Sequence, residues 1–572
     1  MFSLKRLAYI IIITMIFSGL FFLFNLDPDF LKSQSINEAD RYVPSDKVSA
    51  TLTSVADNGF LVIGDTQTDA ERQIKTNVIK ALTLIKSEIT IVNQVTETDL
   101  TGNVILVFVV SDVSQVGNLE SIANYITDGG RAVFAAGIPF ETDLRYLDPV
   151  WGILERGGFK TVTDITFKQG FFPYDETTII KGYSTYSMTL RLYEACEIIL
   201  EGENETPLVW AHQYNMGRVA MINGTFLESK LSIGILIASI NSVREQSLYP
   251  ILATKTVFLD AIPPLFDGND EHSFEYYGRS AESFVRDKLW GVLLQKAILL
   301  DLKLTSSFMA IDKQPFDSQD ANQQSFSYIN REIIRNKGEI TLSGNHVDLS
   351  NLTASRIAQT RSFFLKFFPK YNIHSYYPLY GKIDQNQIDL INSIYPSIDI
   401  IRMLYDSDRS TQSSGDYEVI NDKVIFPTTT YGYKAEGLQY FTYISVLTAY
   451  GAISHSFDIN SLFTVPSSES NWNTLNKTFD ILTERYFSKT NWLDAMTISP
   501  ATEKVKEMNA LEFKTSTEFD KMSVACTDMT VGQKFMFYST KAIQSAQGAT
   551  FKRINSRYYL IEALNASFVL LF

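Results

Sequence analysis

Three side chains able to move protons or bind a metal stand close to the ends of apolar runs. Asp260 closes Val257-Phe258-Leu259, His346 follows Glu339–Ser343 after a short loop, and His455 ends Gly451-Ala452-Ile453-Ser454. A carboxylate and two imidazoles are the residue types of general acid–base catalysis and of divalent metal coordination. Each also has a plainer reading. Asp260 lies just before Pro263-Pro264, where a carboxylate can cap a turn. A single loop histidine such as His346 can serve as a hydrogen-bonding surface group. His455, followed by Asp458, is either an oriented imidazole or a satisfied polar strand end. Asp267, Asp270 and His272 form an Asp-x-x-Asp-x-His pattern in a loop bearing Gly and Asn, a weak spacing for a metal. Tyr276, Tyr277, Tyr376, Tyr377 and Tyr431 offer faces on which sugars stack, although tyrosine is also core material.

Such residues need a scaffold, and the chain alternates strand and helix patterns for most of its length. Phe60-Leu61-Val62-Ile63 and Val104–Val110 are continuous apolar runs of the kind found in parallel strands covered on both faces. Between them, Ile74, Val78, Ile79, Leu82 and Ile85 fall on one helical face. Ala132–Ala136 predicts the next strand, and Pro207–Ala211 with Arg218–Ile222 predict a hairpin across Met216-Gly217. This is an open α/β sheet of flavodoxin-like or amidotransferase-like class, spanning residues 58–250. An amidotransferase nucleophile would be a cysteine at a strand-to-helix elbow; Cys196 is expected in a helix or edge strand instead, and no Gly-rich phosphate loop follows a strand. The region therefore reads as a structural or sugar-binding module. Further βα units over residues 251–468 predict a distorted (β/α) barrel, whose chemistry belongs at the strand C-termini. Residues 469–572 read as two helices and a β-sandwich.

The first 26 residues read as a membrane anchor. Lys5 and Arg6 precede an apolar run to Leu26, and Asp27-Pro28-Asp29 follows it. The length suits one spanning helix, and the charge order places the N-terminus in the cytoplasm with the bulk outside. Residues 27–57 read as a polar stalk. The net charge of −14 argues against nucleic acid as a partner. It is compatible with a polycationic amino-sugar polymer and equally with ordinary solubility. Two cysteines 330 positions apart exclude a disulfide scaffold and are expected to be unpaired, buried thiols.

Six segments in order carry a family resemblance: Phe258–Pro264, Ser283–Trp290, Gly338–His346, Ser375–Pro378, Phe426–Tyr433 and Gly451–His455. Together they resemble the polysaccharide-deacetylase fold. More narrowly, they resemble an uncharacterised bacterial family of membrane-anchored deacetylase-like proteins encoded beside Pel-type exopolysaccharide synthesis genes in Gram-positive bacteria. The resemblance extends from about residue 55 to the end. It implies amide hydrolysis of N-acetyl sugars by a metal-activated water, with a paired-aspartate strand end supplying base and ligand. Here Asp260 matches the base, but Ala261 stands where the ligating aspartate belongs. The His-x-x-x-His motif has Ser343 at its first position and keeps only His346, a vestigial metal ligand. Thr428 replaces the usual arginine. His455 matches a vestigial acid, but Ser456-Phe457-Asp458-Ile459 replaces the stretch expected beyond it.

The resemblance thus implies a catalytically degenerate, anchored protein that binds amino-sugar exopolysaccharide or scaffolds its synthesis and export. Tyr276, Tyr376, Tyr377 and Tyr431 are its candidate glycan contacts, and no cofactor is expected. Two alternatives stand beside it. One is an active deacetylase using zinc or another divalent metal on a rearranged Asp260, His346 and His455 site. The other is a purely structural partner of a membrane polysaccharide synthase.

Overall fold

The computed structural model describes residues 47–51, 59–101, 104–138, 142–262, 270–309, 323–344, 354–378, 383, 385–406, 414–464 and 471–572. The expected anchor, most of the stalk, Asp267, His346 and the side chains of Asp270 and His272 lie outside the described residues.

The first sheet has nine strands. Ile89–Val92, Phe60–Ile63, Ile105–Phe108, Arg131–Phe134 and Gly217–Ile222 run parallel in that order. Thr206–Tyr214, Glu197–Gly202, Ile153–Phe167 and Thr178–Leu192 extend the sheet antiparallel. The apolar runs are uniformly buried because helices cover both faces: Asp69–Leu84 and Ile233–Val243 on one, Leu119–Thr127 on the other. The helix Asp69–Leu84 starts on a capping box in which Thr68 and Glu71 satisfy each other's backbone N–H groups. The expected hairpin is present, with Tyr214 opposite Gly217. The long hairpin Ile153–Phe167/Thr178–Leu192 was not predicted, since its three register shifts break the alternation that marks a strand.

The second sheet is parallel apart from Glu418–Ile420, which pairs antiparallel with Lys423–Thr428. In order it contains Lys423–Thr428, Ile400–Leu404, Ser375–Pro378, Glu339–Gly344, Leu304–Met309, Thr254–Asp260 and Ala452–Asp458. Its two margins are joined by one run of chain. Residues 423–428 pair with Ile400–Leu404, and Thr430-Tyr431 pair with His455-Ser456. The Thr429 N–H donates to the Ser454 carbonyl at 2.8 Å between them. The sheet is therefore barrel-like, and the strand C-termini gather at one end.

Two four-stranded antiparallel sheets close the chain. One contains Gln246–Pro250, Gln533–Ser539, Tyr558–Ala563 and Ala549–Arg553; the other contains Glu512–Glu518, Lys521–Thr527, Ser567–Leu571 and Ser545–Gln547. They share a core that includes Leu248, Val524, Phe535, Phe537, Ile561 and Phe568. Two pieces of chain expected elsewhere join this sandwich. Gln246–Pro250 leaves the first domain to pair with Gln533–Ser539. Lys47–Val48, expected in the stalk, pairs with Met529–Thr530.

The units pack on a continuous core. Every residue of the helix Ile233–Val243 is buried, and it lies against the helix Gly437–Tyr450. Gly234 makes this approach possible: its N–H donates to Ser445 Oγ at 2.9 Å, and a Cβ there would run into the Ser445 carbonyl. Gly234→Ala is expected to lower stability by about 1–3 kcal/mol, the cost of forcing extra volume into a packed interface. Thermal unfolding of the full chain would measure it, and an unchanged midpoint would remove the proposed close contact.

Candidate functional site

Strand alternation decides which side chains reach the interior of the second sheet. Phe258 and Asp260 point inward from the first of these strands in the chain, Ser307 from its neighbour, Tyr377 and Arg402 from the next pair around, and Thr428 and Ser456 from the last two. The register places Asp260 beside Ser307, and Phe258 beside Ser456. These residues converge on one carboxylate at the C-terminal end of the strands, the usual place for a ligand site on a parallel sheet.

Asp260 and Arg402 are each 1% exposed. Arg402 Nη1 donates to Asp260 Oδ1 at 2.5 Å, and Nη2 donates to Oδ2 at 2.8 Å. Ser307 Oγ donates to Oδ1 at 2.5 Å, and Ser456 Oγ donates to Oδ2. Four donors thus occupy the carboxylate. The guanidinium is fixed as firmly: Nε donates to Thr428 Oγ1 at 2.7 Å, and its carbon lies 3.7 Å from the Phe258 ring centre and 3.9 Å from that of Tyr377. A planar cation held between two aromatic faces, with a bidentate carboxylate at its edge, gains from both interactions.

This geometry changes the reading of Thr428. Its position lacks the expected arginine, but the cation is present, supplied by Arg402 from the adjacent strand and hydrogen-bonded to Thr428 itself. The sequence carried a signal for it, a single arginine in the apolar run Ile398–Arg402, although Ser307 and Ser456 offered none. Ser343 is fully buried, and its hydroxyl has no hydrogen-bond partner. Ala261 is buried in a left-handed conformation, φ 57°. Alanine tolerates that region less well than aspartate or glycine. Ala261→Gly is therefore expected to stabilise the chain by about 1 kcal/mol, read from the denaturation midpoint.

His455 does not join Asp260. It lies one residue before Ser456 and so faces the opposite side of its strand. Nε2–H donates to the Gly432 carbonyl at 2.9 Å and Nδ1 accepts from Thr430 Oγ1 at 2.8 Å, which fixes the neutral tautomer. The rings of Phe457, Tyr486 and Phe487 surround it. Burial pulls its pKa down to about 3, against a smaller upward effect of the Gly432 carbonyl. As a correction, the expected acid is a core histidine turned away from the carboxylate.

The four tyrosines also separate. Tyr376 points outward into the core with Phe308 and Phe364. Tyr377 is buried against Arg402, and burial lifts its phenol well above the usual range. Tyr276 is half-buried, while Tyr431 is 47% exposed. The structure therefore leaves Tyr276 and Tyr431 exposed enough to meet a ligand and withdraws Tyr376 and Tyr377.

The described residues do not fit a resident metal. Among them no three His, Cys, Asp or Glu side chains cluster, Ala261 and Ser343 supply no ligand, and Asp260 has its acceptor positions filled. Both cysteines are free. Cys526 is buried, whereas Cys196 is half-buried in a turn rather than in a helix or strand, 3.5 Å from His212 Nδ1. Burial pushes its thiol up to about 11, away from a nucleophilic thiolate.

Comparison with solved structures finds low-scoring neighbours. A ThuA-like protein from Bacteroides uniformis ATCC 8492 is 11% identical, with 35% of this chain and 96% of that chain covered and a TM-score of 0.28. The β-galactosidase from Bacillus circulans sp. alkalophilus is 12% identical over 35% of this chain and 34% of that one, with a TM-score of 0.23. The exo-β-1,4-mannosidase Op5Man5 from Opitutaceae bacterium strain TAV5 is 12% identical over 33% and 36%, with a TM-score of 0.24. No curated protein matches the chain. At family level, the model described as an uncharacterised protein conserved in bacteria, DUF2194, matches residues 154–560, and the chain belongs to that family.

Proposed function

We propose that this is a non-hydrolytic relative of the polysaccharide deacetylases, anchored in the cell membrane by residues 1–26, that binds amino-sugar exopolysaccharide or scaffolds its Pel-like synthesis and export outside the cytoplasm. The observation that carries the reading is the occupied Asp260 carboxylate. A general base must present a free lone pair to water within hydrogen-bond reach. Asp260 instead accepts two guanidinium N–H groups and two hydroxyls in a site closed to solvent. Ala261 and Ser343, standing where the resemblance implies a ligating aspartate and histidine, act in the same direction. Tyr276 and Tyr431 remain placed to stack on a sugar ring.

The test uses the full-length chain in detergent with partly acetylated N-acetylgalactosamine and N-acetylglucosamine oligomers. Saturable binding without acetate release is the expected result, weakened by Tyr431→Ala. Acetate release that disappears in Asp260→Asn would establish an active deacetylase instead. Absence of both binding and release would leave the structural-partner reading.

A further inference from the structure

A second cleft opens between the first sheet and the C-terminal sandwich. We infer that it binds a hexose unit carrying one anionic group, either the carboxylate of a uronic acid or the phosphate of a sugar phosphate. Its volume is about 320 Å³, within the size range of small-ligand sites. Arg131 enters from the strand Arg131–Phe134, and Arg244 from the C-terminal cap of the helix Ile233–Val243. Gln246, Thr515 and Thr517 line the same space, and Leu248 and Met522 give it an apolar side. Phe519, at the sandwich hairpin, is 97% exposed.

Three independent features point to this ligand. First, two arginines from different elements share one small cleft. Burial, then the neighbouring charges of Arg244 and Arg218, draw the Arg131 guanidinium below its ordinary value, with Glu245 opposing. An anion between Arg131 and Arg244 would relieve that repulsion, and their planar forks suit a carboxylate or phosphate. Arg218 lies nearby, its Nε donating to the Ser242 carbonyl at 2.6 Å and its Nη2 to Glu197 at 2.9 Å. Glu245 is the carboxylate among the lining residues, and it is exposed.

Second, the Gln246 amide nitrogen is buried without a hydrogen-bond partner. A buried unpaired donor is costly, and a ligand hydroxyl or anionic oxygen would satisfy it. Third, a nearly fully exposed phenylalanine is expensive in water, and a ring at the mouth of a polar cleft is a surface on which a sugar face packs. Cations for the anion, amide and hydroxyls for the ring oxygens, and one aromatic face together describe a charged sugar. The chain carries a net charge of −14, so selection of an anion must come from these local contacts rather than from the overall field. The inference is independent of the proposed function, because none of these residues touches Asp260 or Arg402.

The experiment is calorimetric titration of the full-length chain with galacturonate, galactose 1-phosphate and neutral galactose. Saturable binding of at least one anionic sugar is expected, with neutral galactose at least about tenfold weaker. Binding of galacturonate alone, of the phosphate alone, or of both identifies the source of the anion. Arg244→Gln should weaken binding about tenfold, and Phe519→Ala several-fold. Phe519 is on the surface, so that variant remains informative should an arginine variant fail to fold. No saturable binding by the wild type up to about 10 mM, equal binding of neutral galactose, or indifference to both substitutions would overturn the inference.

Discussion

Arg402→Ala is expected to lower stability by about 3–5 kcal/mol, because it leaves Asp260 as an uncompensated charge in a site closed to water. The loss extends beyond the ion pair. Phe258 and Tyr377 would face each other across a void, and Thr428 Oγ1 would lose its donor. Asp260→Ala should cost a similar amount by stranding the guanidinium instead. The double variant Asp260→Ala with Arg402→Ala should cost well under the sum of the two single losses, since removing both charges restores balance. Denaturant unfolding of the four proteins closes this cycle. If the single losses simply add in the double variant, the two residues are not coupled and the occupied-carboxylate argument falls with them.

Acidification should weaken the fold through His455. Its folded pKa of about 3 lies below the unfolded value near 6.5, so between those pH values the unfolded chain binds a proton that the folded chain refuses. Stability contributed by the neutral ring is complete above about pH 6.5 and is lost as pH falls, at about 1.4 kcal/mol per pH unit. Between pH 6.5 and 5 this single histidine accounts for about 2 kcal/mol. His455→Gln removes the titrating group and should flatten the profile by that amount, while lowering stability at pH 7 through lost hydrogen bonds to Thr430 and Gly432. Parallel slopes for wild type and variant would show that another group carries the acid sensitivity.

Much of the scaffold was legible because buried parallel strands are written as uninterrupted apolar runs. Phe60–Ile63, Ile105–Phe108 and the segment Val257-Phe258-Leu259 of Thr254–Asp260 announce themselves in this way, and their helices carry the matching one-sided pattern. The hairpin Ile153–Phe167/Thr178–Leu192 was hidden by its bulges, and Gln246–Pro250 by pairing with strands nearly 300 positions later. The site was legible only in outline. Asp260 could be picked from its place at a strand end, but which residues surround it depends on register and on how the two margins of the sheet meet. Arg402 and Ser456 are inward because of the parity of their positions, and His455 is outward by the same parity. One residue of offset separates a candidate acid from a core histidine, and composition alone does not carry that information.

The two-residue pairing of Lys47–Val48 with Met529–Thr530 has a mechanical consequence. The Ala50 N–H also donates to the Cys526 carbonyl at 2.8 Å, so residues 47–50 lie along the sandwich. If residues 1–26 are held in a bilayer, the stretch 27–46 can span at most about 70 Å. A pull passed along that stretch to Lys47 is met at the sandwich. It is borne by a short ladder that can peel open one bond at a time, while the buried Asp260–Arg402 pair sits outside the line of load.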